Sequence, residues 1–240
     1  MIRASLALAA AAALLATACE TTQERSALIG RSLGHQSAAA GTLKLGVANR
    51  AVRVLRSVVV RAGGQSAVAV ELSNPSAVAQ VSFPVLITVR DAHGRTVYRN
   101  DTAGIEPSLQ TFALLPAHAS EWWVDNEVLA ASPASVGVAV GASAAAAVPR
   151  TTPLIATSAA SASASFPGPH VSATLTNRSA IAQHALAVYA VILNGGRVVG
   201  AGRAIVAELR AGASTAVVIP VIGSVDGRTI SLTTAPGQLR

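Results

Sequence analysis

One stretch of this chain occurs twice, and this repeat constrains the fold more than any other feature. Residues 68–95 read VAVELSNPSAVAQVSFPVLITVRDAHGR, and residues 171–197 read VSATLTNRSAIAQHALAVYAVILNGGR. Each copy has a strand-like apolar pattern on both sides of an Asn-x-Ser turn, then a Gly-containing turn, which predicts a β-hairpin. Three polar residues recur at an offset of 103, pairing Asn74 with Asn177, Ser76 with Ser179, and Gln80 with Gln183.

The rest of the chain extends this pattern to a fold class. Short alternating segments, frequent Gly or Pro turns and the lack of a long helical period predict an all-β protein. We expect two small immunoglobulin-like β-sandwich domains in tandem, joined by an Ala/Ser/Pro-rich linker. The predicted boundaries are a signal peptide at 1–18, a tether at 19–41, the first domain at 42–141, the linker at 142–169 and the second domain at 170–240.

The composition limits how such domains can be stabilised. Apolar residues make up 51% of the chain, but aromatic residues only 3%, so the predicted core consists of Val, Leu, Ile and Ala. Cys19 is the only cysteine. The chain therefore has no intramolecular disulfide and no Cys-x-x-Cys metal or redox site, and the fold depends on packing.

The N-terminus has the pattern of an export signal. Arg3 precedes an apolar run at 6–15, which is too short for a stable membrane-spanning helix, and Ala16-Thr17-Ala18-Cys19 follows. This resembles the lipobox of bacterial lipoproteins, which implies that Cys19 is acylated and anchors the protein to a membrane. Ala16 stands where that pattern prefers Leu, and Ala16-Thr17-Ala18 also fits ordinary cleavage, which would give a secreted or periplasmic protein.

The two copies also resemble the immunoglobulin-like domains of the FxLYD type in bacterial envelope lipoproteins. The resemblance rests on the turns at Asn74 and Asn177, on the Gly turns that end the following strand, and on a later leucine at Leu115 and Leu209. The Phe-x-Leu-Tyr-Asp run itself is absent. The resemblance implies an extracytoplasmic binding or scaffold module without a catalytic site.

The copies differ by an insertion in the first. Leu115 matches Leu209 and Ser120 matches Ser214 at a smaller offset of 94, so the first copy holds extra residues between Arg99 and Phe112. We expect a loop there, and loops on such scaffolds often carry function.

Trp122 and Trp123 are the candidate contacts for a partner. Ala216 and Val217 stand at the matching positions of the second copy. Adjacent strand residues face opposite sides, so one Trp should face the core and the other should face outward. The outward Trp is either an exposed contact or, with its neighbour, covered by residues 99–110.

Catalytic, cofactor and metal sites are not visible in the sequence. The histidines are isolated, so we expect surface positions and no zinc site. Glu121, Asp125 and Glu127 are close in sequence and could contact a cation, but we expect them to form a solvated strand end instead. The formal net charge is +7, yet the arginines are scattered, so we expect no nucleic-acid partner. The histidines are His35, His93, His118, His170 and His184.

The sequence thus predicts a lipid-anchored protein of the cell envelope that is not an enzyme and needs no cofactor. Its partner would be an envelope protein or a polysaccharide. The alternatives are a passive structural spacer and, with less support, a hydrolase whose site is not recognisable.

Overall fold

The computed structural model describes residues 43–143, 152–237 and 239, and these form an all-β chain, as predicted. Apart from a 3₁₀ turn at Pro107–Leu109, the regular elements of these residues are all strands. In chain order they are β1 (Arg53–Ala62), β2 (Gln65–Ser73), β3 (Gln80–Arg90), β4 (Thr96–Arg99), β5 (Thr111–Leu115), β6 (Ser120–Asp125), β7 (Ser135–Val140), β8 (Ile155–Thr157), β9 (Ser161–Ser163), β10 (His170–Asn177), β11 (Gln183–Asn194), β12 (Arg197–Leu209), β13 (Ser214–Gly223) and β14 (Thr229–Ala235).

The strands form antiparallel sheets whose stacking is consistent with a β-sandwich. In the first half of the chain, β1-β2-β6 form one sheet, and β4-β3-β5 form a second, to which β7 adds by pairing with β3. In the second half, the order β14-β11-β12-β13-β10-β8 is continuous, and β9 also pairs with β10. Alternation explains the burial: Phe83, Val85, Ile87 and Val89 of β3 are all fully buried, as predicted for one face.

The repeat extends to the pairing register of the strands. Val85 pairs with Val140 in the first half, and the equivalent Val188 pairs with Thr234 in the second. We call residues 53–140 the first unit and residues 155–235 the second unit. The strands on the two sides of the Asn-x-Ser turn do not pair with each other in either unit, because β2 and β3 lie in different sheets and β10 and β11 pair with other strands. The predicted hairpin is therefore wrong at the Asn turn, and each copy forms its hairpin at the Gly-containing turn instead, between β3 and β4 and between β11 and β12.

The repeated asparagine explains why the turn is copied. Asn74 and Asn177 are both fully buried. The Asn74 side-chain amide donates to the carbonyls of Val78 at 2.9 Å and Leu115 at 3.3 Å. The Asn177 amide makes the equivalent hydrogen bonds to Ile181 at 2.8 Å and Leu209 at 3.1 Å. Each asparagine thus satisfies carbonyls that the end of the sandwich would otherwise bury unpaired.

The second unit begins earlier than the sequence indicated. Residues 155–157 and 161–163 pair with β10. Most of their partners on β10 are equivalent to the β2 residues that pair with β1 in the first unit. This differs from the expectation that 142–169 is a linker throughout. These short strands consist of Ala, Ser, Thr and Ile at a sheet edge, so they lack the apolar alternation that identifies the other strands. Residues 144–151 lie outside the described residues.

The predicted insertion interrupts a strand. In the second unit, β12 runs without a break over Arg197–Leu209, whereas the first unit has β4 ending at Arg99 and β5 beginning at Thr111. The position of the insertion between Arg99 and Phe112 is therefore confirmed.

The two units share an apolar core. The cluster that contains Phe83 and Trp123 of the first unit also contains Tyr189, Val191 and Ile222 of the second. Residues Leu186, Val188, Ala190 and Ile192 alternate with these and face a separate core within the second unit. Strand β11 is buried on both faces for this reason. We call the surface between the units the junction.

Candidate functional site

Both tryptophans are buried at the junction. Trp123 is fully buried, and its indole N–H donates to the Ser108 carbonyl at 2.9 Å. Trp122 is 4% exposed, and its backbone N–H donates to the hydroxyl of Thr233 in the second unit at 3.1 Å. The guanidinium of Arg56 lies 5.1 Å from the Trp122 ring centroid. Both side chains are buried, so the pair is covered, which is one of the two alternatives that the sequence left open, and contacts from both units provide the cover.

The insertion is fixed by buried amides, although the sequence suggested a free loop. Asn100 is fully buried, accepts the Ile87 N–H at 2.8 Å and donates to the carbonyls of Val85 and Leu109. The Glu106 side chain accepts the Ser108 N–H at 3.0 Å and so caps the 3₁₀ turn. The turn is therefore presented to the second unit in one conformation.

Arg203 of β12 binds the side chains of this turn. Its side chain is 4% exposed, and its Nη1 contacts the Glu106 carboxylate and the Ser108 hydroxyl. Nη2 donates to Glu127 at 2.9 Å, and Nε donates to the Asn126 side-chain oxygen at 3.2 Å. All four partners belong to the first unit. We call Arg203, Glu106, Asp125 and Glu127 the Arg203 cluster.

Asp125 is the most deeply buried carboxylate of the cluster. It is fully buried, and it accepts the Tyr98 hydroxyl at 2.8 Å and the Glu127 N–H at 2.9 Å. Burial raises the pKa of Asp125 to about 6, and the two hydrogen bonds and the charge of Arg203 only partly oppose this. The expectation of a solvated strand end is therefore wrong at Asp125.

The charges around Arg203 outweigh its burial. Burial alone would lower the pKa of the guanidinium, but the carboxylates of Glu106 and Glu127 raise it, so Arg203 is fully charged. Tyr98 and Tyr189 each have a raised pKa, mainly because they are buried, and both stay neutral hydroxyl donors. The cluster therefore combines one cation with three carboxyl groups at the junction.

Tyr189 connects the cluster to the shared core. Its hydroxyl donates to the Ser108 carbonyl at 3.1 Å, the same carbonyl that accepts the Trp123 indole. Its ring lies roughly parallel to that of Phe112, with centroids 6.2 Å apart. One carbonyl of the insertion thus joins an aromatic residue from each unit.

A cleft of about 540 Å³ opens beside these residues at the junction. The first unit contributes the insertion and β5, and the second contributes β11 and the segment after β14. Small side chains form much of its wall, and the Glu106 carboxylate, Tyr189 and three Ser or Thr residues supply the polar part. The first-unit residues are Ser82, Glu106, Pro107, Ser108, Thr111 and Ala113; the second-unit side has Ala185, Ala187, Tyr189, Ala235, Pro236, Gly237 and Leu239.

The remaining sequence-based candidates lie elsewhere. Cys19 and His35 are outside the described residues. His93, His118 and His184 are exposed, as predicted, and His170 is half-buried. Within residues 43–143, 152–237 and 239, no group of three or more His, Cys, Asp or Glu side chains is placed to hold a metal ion. No helix in that part of the chain has the length and apolarity needed to cross a membrane.

Sequence reasoning missed Arg203. Its only signal is its position, because Arg203 is a charged residue directly before the apolar run Ala204-Ile205-Val206. Comparison of the chain with known protein-family models gives no match, and comparison with curated proteins gives none either.

Proposed function

We propose that this protein is a lipid-anchored module of the cell envelope that binds a partner without catalysing a reaction. In this proposal the two units are immunoglobulin-like β-sandwich domains that act as one body, and Cys19 carries the lipid. The N-terminal pattern ending in Ala18-Cys19 supports the anchor. The matched registers of the two units support the domain assignment.

The observation that carries the proposal is the Arg203 cluster. A connector alone would leave two tethered units free to move, and a passive spacer has no use for a fixed angle between them. Here a buried guanidinium from one unit contacts carboxylates and a hydroxyl of the other. Removing one partner of a buried ion pair is costly, so the relative position of the units is specified. A fixed junction keeps the wall of the cleft in one shape, as a binding surface requires.

The cleft is the part of this surface best suited to a partner. Trp122 and Trp123 are covered, so we propose that they stabilise the junction and do not contact the partner. The cleft accepts a narrow segment, because the side chains at Ala113, Ala185 and Ala235 are small. We propose that an envelope protein or a polysaccharide chain enters there. A passive spacer is the alternative.

The partner site is tested by replacing each of two alanines with glutamine, one in the cleft and one outside it. Ala113→Gln narrows the cleft from β5, whereas Ala216→Gln puts the same side chain on an exposed position of β13. The full chain, immobilised through its tether, is exposed to envelope extract, and captured proteins and glycans are identified by mass spectrometry. We expect Ala113→Gln to lose a partner that wild type and Ala216→Gln retain. Equal capture by all three chains refutes the cleft, and no capture by wild type favours a spacer.

Lipidation is tested separately. The full chain is expressed in bacteria with a radiolabelled fatty acid, beside Cys19→Ala and the neighbouring control Thr21→Ala. We expect label and membrane association in wild type and in Thr21→Ala, and neither in Cys19→Ala. A soluble, unlabelled wild-type protein would show that ordinary cleavage after Ala18 is correct instead.

A further inference from the structure

We propose that the junction takes up a proton at Asp125 in mildly acidic solution and that the two units are held together more tightly when it does. This inference goes beyond the proposed function, and it depends on neither the lipid anchor nor the identity of a partner. It rests on the geometry of the Arg203 cluster.

Asp125 is a buried carboxyl group that forms no ion pair with a cation of the described residues. Its Oδ2 accepts the Tyr98 hydroxyl, and its Oδ1 accepts the Glu127 N–H. Both donors are neutral. The guanidinium of Arg203 is directed to other groups, which are Glu106, Ser108, Glu127 and Asn126. An ionised Asp125 therefore has two hydrogen bonds but no direct ion pair, and burying such a charge is unfavourable.

Charged and titratable groups approach Asp125 from several of the surrounding elements. Among the described residues, Arg203 on β12 is the cation that lowers the pKa of Asp125, and Glu106 in the insertion and Glu127 after β6 are carboxylates paired with it. Tyr98 on β4 and Tyr189 on β11 are neutral hydroxyls. With all three carboxyl groups ionised, the cluster has an excess of two negative charges. A proton on Asp125 reduces this excess to one and removes repulsion from Glu127.

The connection to the junction is short. Oδ1 of Asp125 holds the backbone of Glu127, and the Glu127 side chain contacts Arg203 of the other unit at 2.9 Å. Repulsion between the two carboxylates therefore acts on the segment that carries a cross-unit ion pair. Glu106, the other partner of Arg203, also forms part of the cleft wall. The protonation state of Asp125 thus bears on how firmly that wall is held.

The direction of the pH effect follows from the raised pKa of Asp125, about 6 against an ordinary value of 3.8. The folded protein binds the proton more readily than the unfolded chain. The stabilisation that this bound proton gives to the folded protein is fully present below pH 3.8, and it is lost as the pH rises through about 6. For these two pKa values, proton linkage makes the unfolding equilibrium constant about tenfold larger at about pH 8 than at about pH 5.

The chain offers a direct optical probe of the junction, because its two tryptophans both lie there. The experiment measures urea unfolding and acrylamide quenching of Trp fluorescence in the full chain, purified in detergent, between about pH 5 and pH 8. Asp125→Asn imitates the protonated acid in shape, and Asp226→Asn alters an exposed carboxylate as the matched control. All three proteins keep every histidine, so each variant differs from wild type at one carboxyl group only.

We expect wild type and Asp226→Asn to unfold more easily and to be quenched more strongly at the higher pH, with about a tenfold change in the unfolding constant that Asp125→Asn lacks. If Asp125→Asn keeps the full pH dependence, or is destabilised equally at both ends of the range, the proposal is refuted. A titration of the ¹³C-labelled aspartate carboxyls of wild type needs no variant. An Asp125 resonance that titrates near its ordinary value would also refute the proposal.

Discussion

Replacing Arg203 with methionine should destabilise the protein through the groups that it leaves behind. Methionine is apolar and unbranched, so it can occupy much of the space of the arginine stem. It cannot replace the donors that reach Glu106, Ser108, Asn126 and Glu127. The Glu106 side chain is only 10% exposed, so in the variant it is a buried carboxylate without a cation.

The magnitude follows from the burial of each partner. Removing one member of a buried ion pair typically costs about 3–5 kcal/mol, and that range applies to Glu106. The Glu127 side chain is 38% exposed, and solvent screens such a pair, so its loss adds less than about 1 kcal/mol. Loss of the Arg203 charge also leaves Asp125 less compensated. We therefore expect Arg203→Met to lower the free energy of unfolding by about 3–6 kcal/mol.

The assay is urea unfolding followed by Trp fluorescence, arranged as a double-mutant cycle with Glu106→Gln. The double variant removes the buried cation and its buried counter-charge together, so we expect it to regain at least about half of the loss. Arg210→Met is the matched control, because that arginine is exposed on the same unit. If Arg203→Met costs less than about 1 kcal/mol, or if Glu106→Gln adds its own loss to that of Arg203→Met without rescue, the cluster does not hold the units together.

Three further outcomes are expected. Trp122→Ala and Trp123→Ala should both lower the unfolding free energy, Trp123→Ala by about 3–5 kcal/mol, and an unchanged melting curve for either would contradict its burial. Asn74→Ala and Asn177→Ala should each cost about 1–3 kcal/mol by leaving buried carbonyls unpaired, which urea unfolding measures. Tyr98→Phe removes a hydrogen bond that favours ionised Asp125, so the pKa of Asp125 should rise above that of wild type in a ¹³C titration; an unchanged pKa would show that this hydrogen bond has no influence.

The features that the sequence predicts correctly are those set by local patterns. Alternation in β3 places Phe83, Val85, Ile87 and Val89 on one buried face, because neighbouring side chains on a strand point to opposite sides. The two Asn turns and the position of the insertion could be predicted because the two copies of the repeat can be aligned with each other. In each case, residues within one unit determine the result.

The features that were missed depend on contacts between distant parts of the chain. Asp125 and Trp122 are buried because β11, β12 and β14, which come much later in the chain, lie against the first unit. No periodicity within residues 120–127 contains that information. Strands β8 and β9 were missed for a different reason, since their Ala and Ser side chains gain little from burial and depend on backbone pairing with β10.

The insertion between β4 and β5 also affects how molecules of this protein can associate. Two alike units in one chain create a risk that a unit of one molecule docks on the wrong unit of another, and a contact of that head-to-tail kind can extend into a filament. The 3₁₀ turn at Pro107–Leu109 exists only in the first unit, and Arg203, which receives it, lies on the uninterrupted strand of the second. The described part of each molecule therefore has one such turn and one arginine that binds it, and the two are already in contact with each other. The docked chain is a closed pair that leaves neither end of this contact available to a neighbour.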